Sequence, residues 1–221
     1  MPGITNAAML NKERIYKKFF QGEDYKKILD VGATTFTIEL IKKYFPNSLI
    51  TGINIEIKNK DAPEILFGNA EKIPFKDNTF DLIFTQETLE HIIFPDKFIE
   101  ESKRVLKNGG DIIVDTPNLN TWSNRILLMF GYPPTNYTPY PYKTPGVPKF
   151  LGTNPLWDHP RVFPYISLKK IFNSNGFKLE TITGVNQVER GRSFRWLRLF
   201  MEKALPTSWR EATILKATIE K

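Results

Sequence analysis

Short apolar runs that alternate with helical segments constrain this chain more than any other feature of its sequence. Runs such as LIF at 82–84 and IIV at 112–114 are separated by amphipathic stretches. Runs without polar alternation are typical of parallel strands that are buried on both faces. With 221 residues, 41% of them hydrophobic, the chain can form one core of ordinary size. The pattern therefore predicts an α/β fold with a doubly wound sheet.

Periodicity and turn residues place the individual elements. We expect helices near 9–20, 37–45, 96–106, 122–130, 167–175 and 194–204, and strands near 26–31, 49–53, 64–67, 80–85, 110–115, 177–184 and 212–219. The sequence Asn108-Gly109-Gly110 predicts a helix end, because glycine accepts the left-handed conformation of a C-cap.

The domain organisation follows from the same pattern. We expect a single domain over 1–221, with an N-terminal helical extension over 1–22. Residues 131–160 hold half of the sixteen prolines and many aromatic side chains. A stretch of this composition is a linker or a functional lid, and its aromatic content favours a lid. We therefore predict an inserted proline- and aromatic-rich lid over 120–165.

Composition excludes several classes of function. The chain has no cysteine, so it has no disulfide, thiol nucleophile or thiolate metal site. The first twenty residues lack the apolar stretch of a signal peptide, and no apolar run approaches the roughly 18 residues of a membrane span. We therefore expect a cytoplasmic protein.

A net charge of +7 favours an anionic partner. The cations concentrate near 12–18 and 190–198, but no nucleic-acid-binding motif accompanies them, so nucleic acid is not expected as the main partner. Residues 192–205 place apolar side chains on one helical stripe flanked by arginines. This stripe docks on the sheet or makes a peripheral contact with an anionic membrane, and both alternatives remain open.

The stretch ILDVGATTFT at 28–37 indicates a nucleotide pocket, because a strand ending in Asp-Val-Gly turns there into a helix. Such turns normally carry two or three glycines, and this one has only Gly32. A side chain at a position that needs positive φ costs roughly 1–2 kcal/mol unless the loop has another shape. If the loop has another shape, we expect Phe36 to begin the helix and to pack on the sheet.

Three blocks downstream carry a family resemblance. The stretches AEKIPFKDNTFDLIF, LEH and RVLKNGGDIIVDTPN occur in the order and at the spacing of class I S-adenosylmethionine-dependent methyltransferases, which the chain resembles from about Lys26 onward. The resemblance implies a Rossmann-like sheet of seven strands, mostly parallel with an antiparallel last strand at 212–219, and S-adenosylmethionine as cofactor. A looser similarity of 117–137 and 159–177 to a subgroup linked to glycan synthesis implies a small-molecule or glycan-like acceptor.

Four loops at the carboxyl ends of the strands are expected to hold the cofactor. By the resemblance, the cofactor-binding residues are Asp30, Gly32, Ala33, Thr34, Asn54, Ile55, Asn69, Ala70 and Gln86. The family has glycine at the positions of Thr34 and Phe36, and usually a carboxylate at those of Asn54 and Asn69. Replacing a charged acceptor by a neutral one costs about 1 kcal/mol, and Glu56 could compensate. Asn69 has a second interpretation, in which it only shapes a turn.

The catalytic candidates are Glu87, Glu90 and His91, whose spacing places them on one face of a helical turn. Such a face can hold a general base or a hard divalent cation. The E-x-x-E-H pattern is similar to that of ubiquinone-pathway O-methyltransferases, where it is linked to a metal together with an asparagine matching Asn118. The alternative is structural, with His91 capping the turn and Glu87 stabilising a helix start. The substrate candidates are Asn118, Tyr137, His159 and Arg161.

Two functions remain for the chain. The first is a methyltransferase acting on oxygen of a small or glycan-like acceptor, and the second is a binding or scaffold protein that kept the fold and lost the cofactor. A nicotinamide enzyme fits poorly, because no G-x-G-x-x-G is present. The sequence does not indicate the oligomeric state.

Overall fold

The structure is a computed structural model that describes residues 6–57, 62–134, 159–186 and 204–221. Within these ranges the α-helices are α1 (Asn6–Phe20), α2 (Thr35–Tyr44), α3 (Pro95–Val105), α4 (Trp122–Met129) and α5 (Tyr165–Ser174). The strands are β1 (Lys27–Val31), β2 (Leu49–Asn54), β3 (Ile65–Phe67), β4 (Phe80–Gln86), β5 (Leu106–Pro117), β6 (Phe177–Val185) and β7 (Ala212–Ile219). Short 3₁₀ turns lie at Leu89–His91 and Thr207–Trp209.

The strands form one seven-stranded sheet in the order β3-β2-β1-β4-β5-β7-β6. β1 pairs in parallel with β2 on one side and with β4 on the other, so the strand order reverses between β1 and β4. β7 runs antiparallel to both of its neighbours, β5 and β6. The predicted doubly wound sheet with an antiparallel last strand is therefore confirmed.

Helices cover both faces of the sheet. On one face α1 and α2 pack on β1 and β4, where Tyr16 meets Phe84 edge to face at 5.2 Å between ring centroids. On the other face α3 and α5 bury side chains such as Phe98 and Phe172 against β4, β5 and β7. Since parallel strands need apolar cover on both faces, this packing accounts for the unbroken apolar runs of the sequence.

The predicted end of α3 is wrong by a few residues. The helix ends at Val105 rather than at Asn108-Gly109-Gly110, and β5 begins at once with Leu106. Gly109 does have a positive φ, of 74°, but inside the first part of β5. The pairing of β5 with β4 changes register between Phe80 and Leu82, and the glycine conformation serves this irregularity instead of a C-cap.

Two sequence predictions fall largely outside the described residues. They are the central part of the lid, at 135–158, and most of the predicted basic helix, at 187–203. Among the described residues, no helix combines the length and the apolar character that crossing a bilayer requires.

Candidate active site

A cleft of about 600 Å³ opens at the carboxyl ends of β1, β2 and β4, where the strand order reverses. Open α/β sheets bind their ligands at this position. Four segments line the cleft: 31–34 after β1, 53–56 after β2, 68–71 after β3, and 87–93 after β4. The sequence analysis predicted this convergence of four loops.

The turn after β1 needs glycine because of a protein contact. Gly32 has a φ of 78°, and a Cβ placed on it would lie 2.0 Å from Oγ1 of Thr88. The side chain of Thr88 therefore fills the space that a larger residue at 32 would need.

The missing glycines of this turn are explained by the start of α2. Thr34 has an extended backbone with a φ of −130°, so its position does not require glycine. Its hydroxyl accepts from the Thr37 N–H, and the Thr37 hydroxyl oxygen accepts from the Thr34 N–H, which together form a capping box. Phe36 does lie in the first turn of α2, but it is 47% exposed, so the expectation that it packs on the sheet is wrong.

Asp30 lies beneath the turn and does not line the cleft. It is fully buried, accepts from the Thr37 hydroxyl, and keeps one carboxylate oxygen without a partner among the described residues. Burial raises the pKa of Asp30 to about 7, although the Thr37 hydrogen bond opposes this shift.

Asn54 joins the end of β2 to the first turn. Its amide nitrogen donates to the carbonyl of Ala33 at 2.9 Å, and its amide oxygen accepts from the Glu56 N–H at 3.0 Å. Glu56 is exposed and lines the cleft, as does Ile55, which is 66% exposed. The carboxylate of this loop is therefore supplied two residues after the position where the resemblance implies one.

Asn69 shapes the turn after β3. Its amide oxygen accepts from the Glu71 N–H at 2.8 Å, in agreement with the turn-shaping interpretation. The carboxylate of Glu71 in turn accepts from the N–H groups of Ile93 and Phe94, each at 3.0 Å. These hydrogen bonds fix the position of the 92–94 segment. The exposed side chain of Ile93 consequently forms one wall of the cleft beside Ala70.

Gln86, predicted to bind the cofactor, faces away from the cleft lining. It is 8% exposed, and its amide nitrogen lies 4.0 Å from the sulfur of Met9 in α1. The next residue, Glu87, has a left-handed φ of 49°, and its N–H donates to the carbonyl of Asp115 at 2.8 Å. Unlike Gln86, it lines the cleft.

A buried lysine holds Glu87. Lys12 of α1 is fully buried, with its ammonium nitrogen paired to Glu87 and 2.7 Å from a carboxylate oxygen of Asp115. The Tyr16 hydroxyl donates to the same Asp115 oxygen. Burial raises the pKa of Asp115 to about 6 against the opposing charge of Lys12. At Glu87 burial also acts to raise the pKa, but the charge and hydrogen bond of Lys12 and the hydrogen bond with Glu90 together lower it. Glu87 is therefore ionised in the cleft.

Glu90 is fully buried below Glu87. One of its carboxylate oxygens accepts from the Thr116 hydroxyl at 3.0 Å. Burial and the neighbouring charge of Glu87 raise its pKa well above the usual range, so that Glu90 is the neutral partner of a hydrogen-bonded carboxyl pair.

His91 and His159 come together at this point. Their rings are edge to face with centroids 4.8 Å apart, and Nε2 of His159 is 4.0 Å from Oε1 of Glu90. His91 is exposed and lines the cleft, whereas His159 is 2% exposed. Ligand atoms of Glu90, His91 and His159 lie within 4.8 Å of one another, and this group could hold one divalent ion.

The predicted single helical face of Glu87, Glu90 and His91 is not formed. The 3₁₀ turn begins only at Leu89, and Glu87 precedes it in a left-handed conformation. Consequently Glu87 and His91 line the cleft, while Glu90 points into the interior.

The substrate candidates have different positions. The N–H of Arg161 donates to the carbonyl of Glu90 at 3.4 Å, which brings the 159–161 segment to the cluster. Asn118 is fully buried, and its amide donates to the carbonyls of Ser208 and Arg210, so it joins β5 to the turn before β7. Tyr137 lies outside the described residues.

The sequence analysis missed Lys12, Tyr16 and Asp115. Lys12 was counted among the surface cations of a basic helix. A signal was nevertheless present, because Lys12 is four residues before Tyr16 and therefore shares the apolar face of that helix. Asp115 follows the apolar run IIV at the carboxyl end of a central strand, where a charged residue needs a partner.

Comparison with known proteins shows similarity in sequence and in fold. Residues 29–114 match the sequence profile of the methyltransferase domain family. An uncharacterized protein of Methanocaldococcus jannaschii is 38% identical over 74 residues, which cover 31% of this chain and 36% of that protein. A demethylmenaquinone methyltransferase of Listeria welshimeri is 29% identical over 122 residues, covering 48% of this chain and 52% of the relative. The chain thus spans about a third to a half of the length of these relatives.

The fold extends the similarity over nearly the whole chain. A crystal structure of an S-adenosylmethionine-dependent methyltransferase from Archaeoglobus fulgidus superposes with a TM-score of 0.60 at 14% identity, covering 97% of this chain and 94% of that one. At this identity the likeness shows the fold, which is the class I methyltransferase fold. Residues 29–114 are thus similar in sequence to the methyltransferase domain family, and the fold is the one seen in solved S-adenosylmethionine-dependent methyltransferases.

Proposed function

We propose that the protein is an S-adenosylmethionine-dependent methyltransferase acting on an oxygen of a small-molecule or glycan-like acceptor. The observation that carries the proposal is the cleft at the reversal of strand order, in which Glu87 and His91 lie next to the buried Glu90 and His159. Relatives named as methyltransferases support the reaction class.

The residues around the cleft fit the cofactor. The exposed side chains of Ile55 and Ile93 offer apolar walls to the adenine ring, and the backbone of Ala70 offers hydrogen bonds to its edge. The carboxylate of Glu56 can accept from the ribose hydroxyls. Glu87, held ionised by Lys12, suits the cationic methionine end.

The bound cofactor would supply a methyl group on a positively charged sulfur, already activated for displacement. The chain then has to orient an acceptor hydroxyl and remove its proton. His91 is the exposed imidazole of the cleft and accepts this proton. The rings of His91 and His159 meet edge to face, and Glu87 lies in the same cleft.

Calorimetric titration with S-adenosylhomocysteine tests cofactor binding. The wild type is expected to bind in the micromolar range. Glu56→Gln should weaken binding about five- to tenfold, because a hydrogen bond to a charged acceptor is replaced by a neutral one. The control Glu39→Gln changes an exposed carboxylate of α2 away from the cleft and should bind like the wild type. No detectable heat at millimolar ligand would sink the proposal.

A scaffold protein is the second candidate, and one observation favours it. The amide oxygens of Asn54 and Asn69 are both engaged by backbone N–H groups of their own turns. For a scaffold, S-adenosylhomocysteine should bind only after the substitution Asn69→Asp, with Asn54 kept because its amide donates to the carbonyl of Ala33. Thr34 stays unchanged in this variant, because it caps α2.

A divalent cation at Glu90, His91 and His159 is an alternative to the role of His91 as a base, because an imidazole that holds the cation does not also accept the proton. A buried carboxyl and two imidazoles suit a borderline transition metal better than Mg²⁺. Titration with Zn²⁺ should show one site in the wild type and none in His91→Ala. Equal uptake by both proteins would exclude a site that includes His91.

A further inference from the structure

A second cavity lies on the other side of α1 from the cleft. It has a volume of about 670 Å³ and is bounded by α1, by residues 184–186 at the end of β6, and by Arg210 before β7. Its charged lining consists of Arg14, Lys17, Lys18 and Arg210. We name this cavity the basic groove.

The basic groove carries an excess of positive charge. Among the residues that the structure describes, its lining contains no aspartate or glutamate. Arg14, Lys17 and Lys18 are exposed and form no ion pair within the part of the chain that the structure describes. Lys43 shows the contrast on a neighbouring helix, since its ammonium is paired with Glu13. Three unpaired cations facing one cavity raise the local concentration of anions.

Arg210 gives the groove a fixed donor. Its Nη1 donates to the carbonyl of Gly184 at 3.1 Å, which holds the guanidinium against the end of β6. Its Nε is buried and has no hydrogen-bond partner among the described residues. A Cβ on Gly184 would lie 1.8 Å from the carbonyl oxygen of Thr207, so the glycine allows the turn carrying Arg210 to approach.

The groove and the cleft share one edge of the sheet. β6 runs parallel to β5, because both are antiparallel to β7, and its carboxyl end therefore lies at the edge where the cleft opens. On α1, Asn11, Arg14 and Lys18 face the groove, while Lys12 faces Glu87 and Asp115. A ligand that is anchored in the groove is thus one helix away from the catalytic candidates.

We propose that the basic groove binds a phosphate or diphosphate group, and that this group belongs to the methyl acceptor. The second part rests on the proposed function. A guanidinium held in place and flanked by ammonium groups matches tetrahedral phosphate oxygens, which accept several charge-assisted hydrogen bonds at once. The groove would fix one end of the acceptor, so that a hydroxyl at its other end can reach His91.

The test is calorimetry with inorganic pyrophosphate at low ionic strength. The wild type should bind, and the double variant Arg14→Gln, Lys18→Gln should bind about tenfold or more weakly, because two charged donors are lost. The matched control Lys169→Gln, Lys170→Gln removes the same charge from exposed positions of α5, and it should bind like the wild type. No binding by the wild type, or equal loss in both double variants, would overturn the inference.

A second arm distinguishes a soluble phosphate from a lipid headgroup. Phosphatidylcholine vesicles with and without phosphatidic acid are sedimented with the same three proteins. Binding of pyrophosphate alone assigns the groove to a soluble ligand. If the wild type binds both pyrophosphate and the vesicles with phosphatidic acid, and Arg14→Gln, Lys18→Gln weakens both, the groove is assigned to a lipid-linked phosphate. The proposal is contradicted if no protein binds pyrophosphate and the wild type and Arg14→Gln, Lys18→Gln bind the vesicles equally.

Cofactor binding separates this inference from the proposed function. The double variant Arg14→Gln, Lys18→Gln should bind S-adenosylhomocysteine like the wild type, because neither residue lines the cleft. Loss of pyrophosphate binding with intact cofactor binding locates the effect in the groove. If the wild type binds pyrophosphate but not S-adenosylhomocysteine, the phosphate site is supported and the proposed methyltransferase function is contradicted.

Discussion

Three asparagines at strand ends make the same local hydrogen bond. The amide oxygens of Asn54, Asn69 and Asn118 each accept from the backbone N–H two residues later, which is the geometry of an Asx turn. An aspartate could accept in the same way but could not donate. Asn54 and Asn118 also donate, to Ala33 and to Ser208 and Arg210 respectively, so each joins two segments. At these two positions asparagine therefore serves the architecture of the sheet edge.

Asp30 makes stability depend on pH in a direction unusual for a carboxylate. Its pKa is raised from 3.8 to about 7 by burial, so between these values the folded state holds a proton that the unfolded chain releases. Stability should therefore fall as pH rises from 4 to 8. The side chain of Asn in the variant Asp30→Asn does not titrate. Between pH 4 and 8 the free energy of unfolding of this variant should therefore rise by about 2–4 kcal/mol relative to that of the wild type, because a tenfold change in proton affinity corresponds to about 1.4 kcal/mol.

Urea denaturation of both proteins at pH 4, 6 and 8 measures this effect. A constant difference in the free energy of unfolding at the three pH values would show that Asp30 does not hold a proton in the folded state. Thr37→Val serves as a control for the hydrogen bond, because it removes the hydroxyl that Asp30 accepts from and leaves the carboxyl in place.

At the scale of elements, α1 is fastened to the sheet by charge as well as by apolar packing. Lys12 reaches the ends of β4 and β5 through Glu87 and Asp115, and Tyr16 adds a hydrogen bond to Asp115. The helix thereby separates the cleft from the basic groove. A buried ion pair is weak evidence for net stability, but removing one of its members leaves uncompensated charge.

Lys12→Met should therefore destabilise the protein by about 3–5 kcal/mol near neutral pH, because Glu87 and Asp115 lose their common cation. The measurement is urea denaturation followed by circular dichroism. Lys17→Met, on an exposed position of the same helix, should change stability by no more than about 0.5 kcal/mol. Equal effects of the two substitutions would mean that Lys12 is not paired in the interior.

The elements differ in how far the sequence predicts them. The unbroken apolar runs of β4 and β5 are local signals, and they predicted the buried parallel strands well. Gly109 was misassigned because positive φ serves a helix end and a strand irregularity alike. The pairing of Lys12 with Asp115 joins positions far apart in the chain, and no local periodicity records such a contact.

At the scale of the whole molecule, one edge of the sheet carries both the cleft and the basic groove. The cleft lies at β1, β2 and β4, the cluster of Glu90, His91 and His159 lies next to it, and the basic groove lies at β6. This arrangement follows from topology, because the carboxyl ends of the parallel strands meet there. The family resemblance predicted the cleft, whereas the groove appears only once α1 and β6 are placed side by side.

A structure determined from crystals grown with S-adenosylhomocysteine tests the central claim most directly. The account predicts ligand density in the cleft, with the adenine between Ile55 and Ile93, the ribose at Glu56 and the amino-acid end near Glu87. Saturating ligand with no density in this cleft, or density at another place, would contradict the assignment of the cleft as a cofactor site.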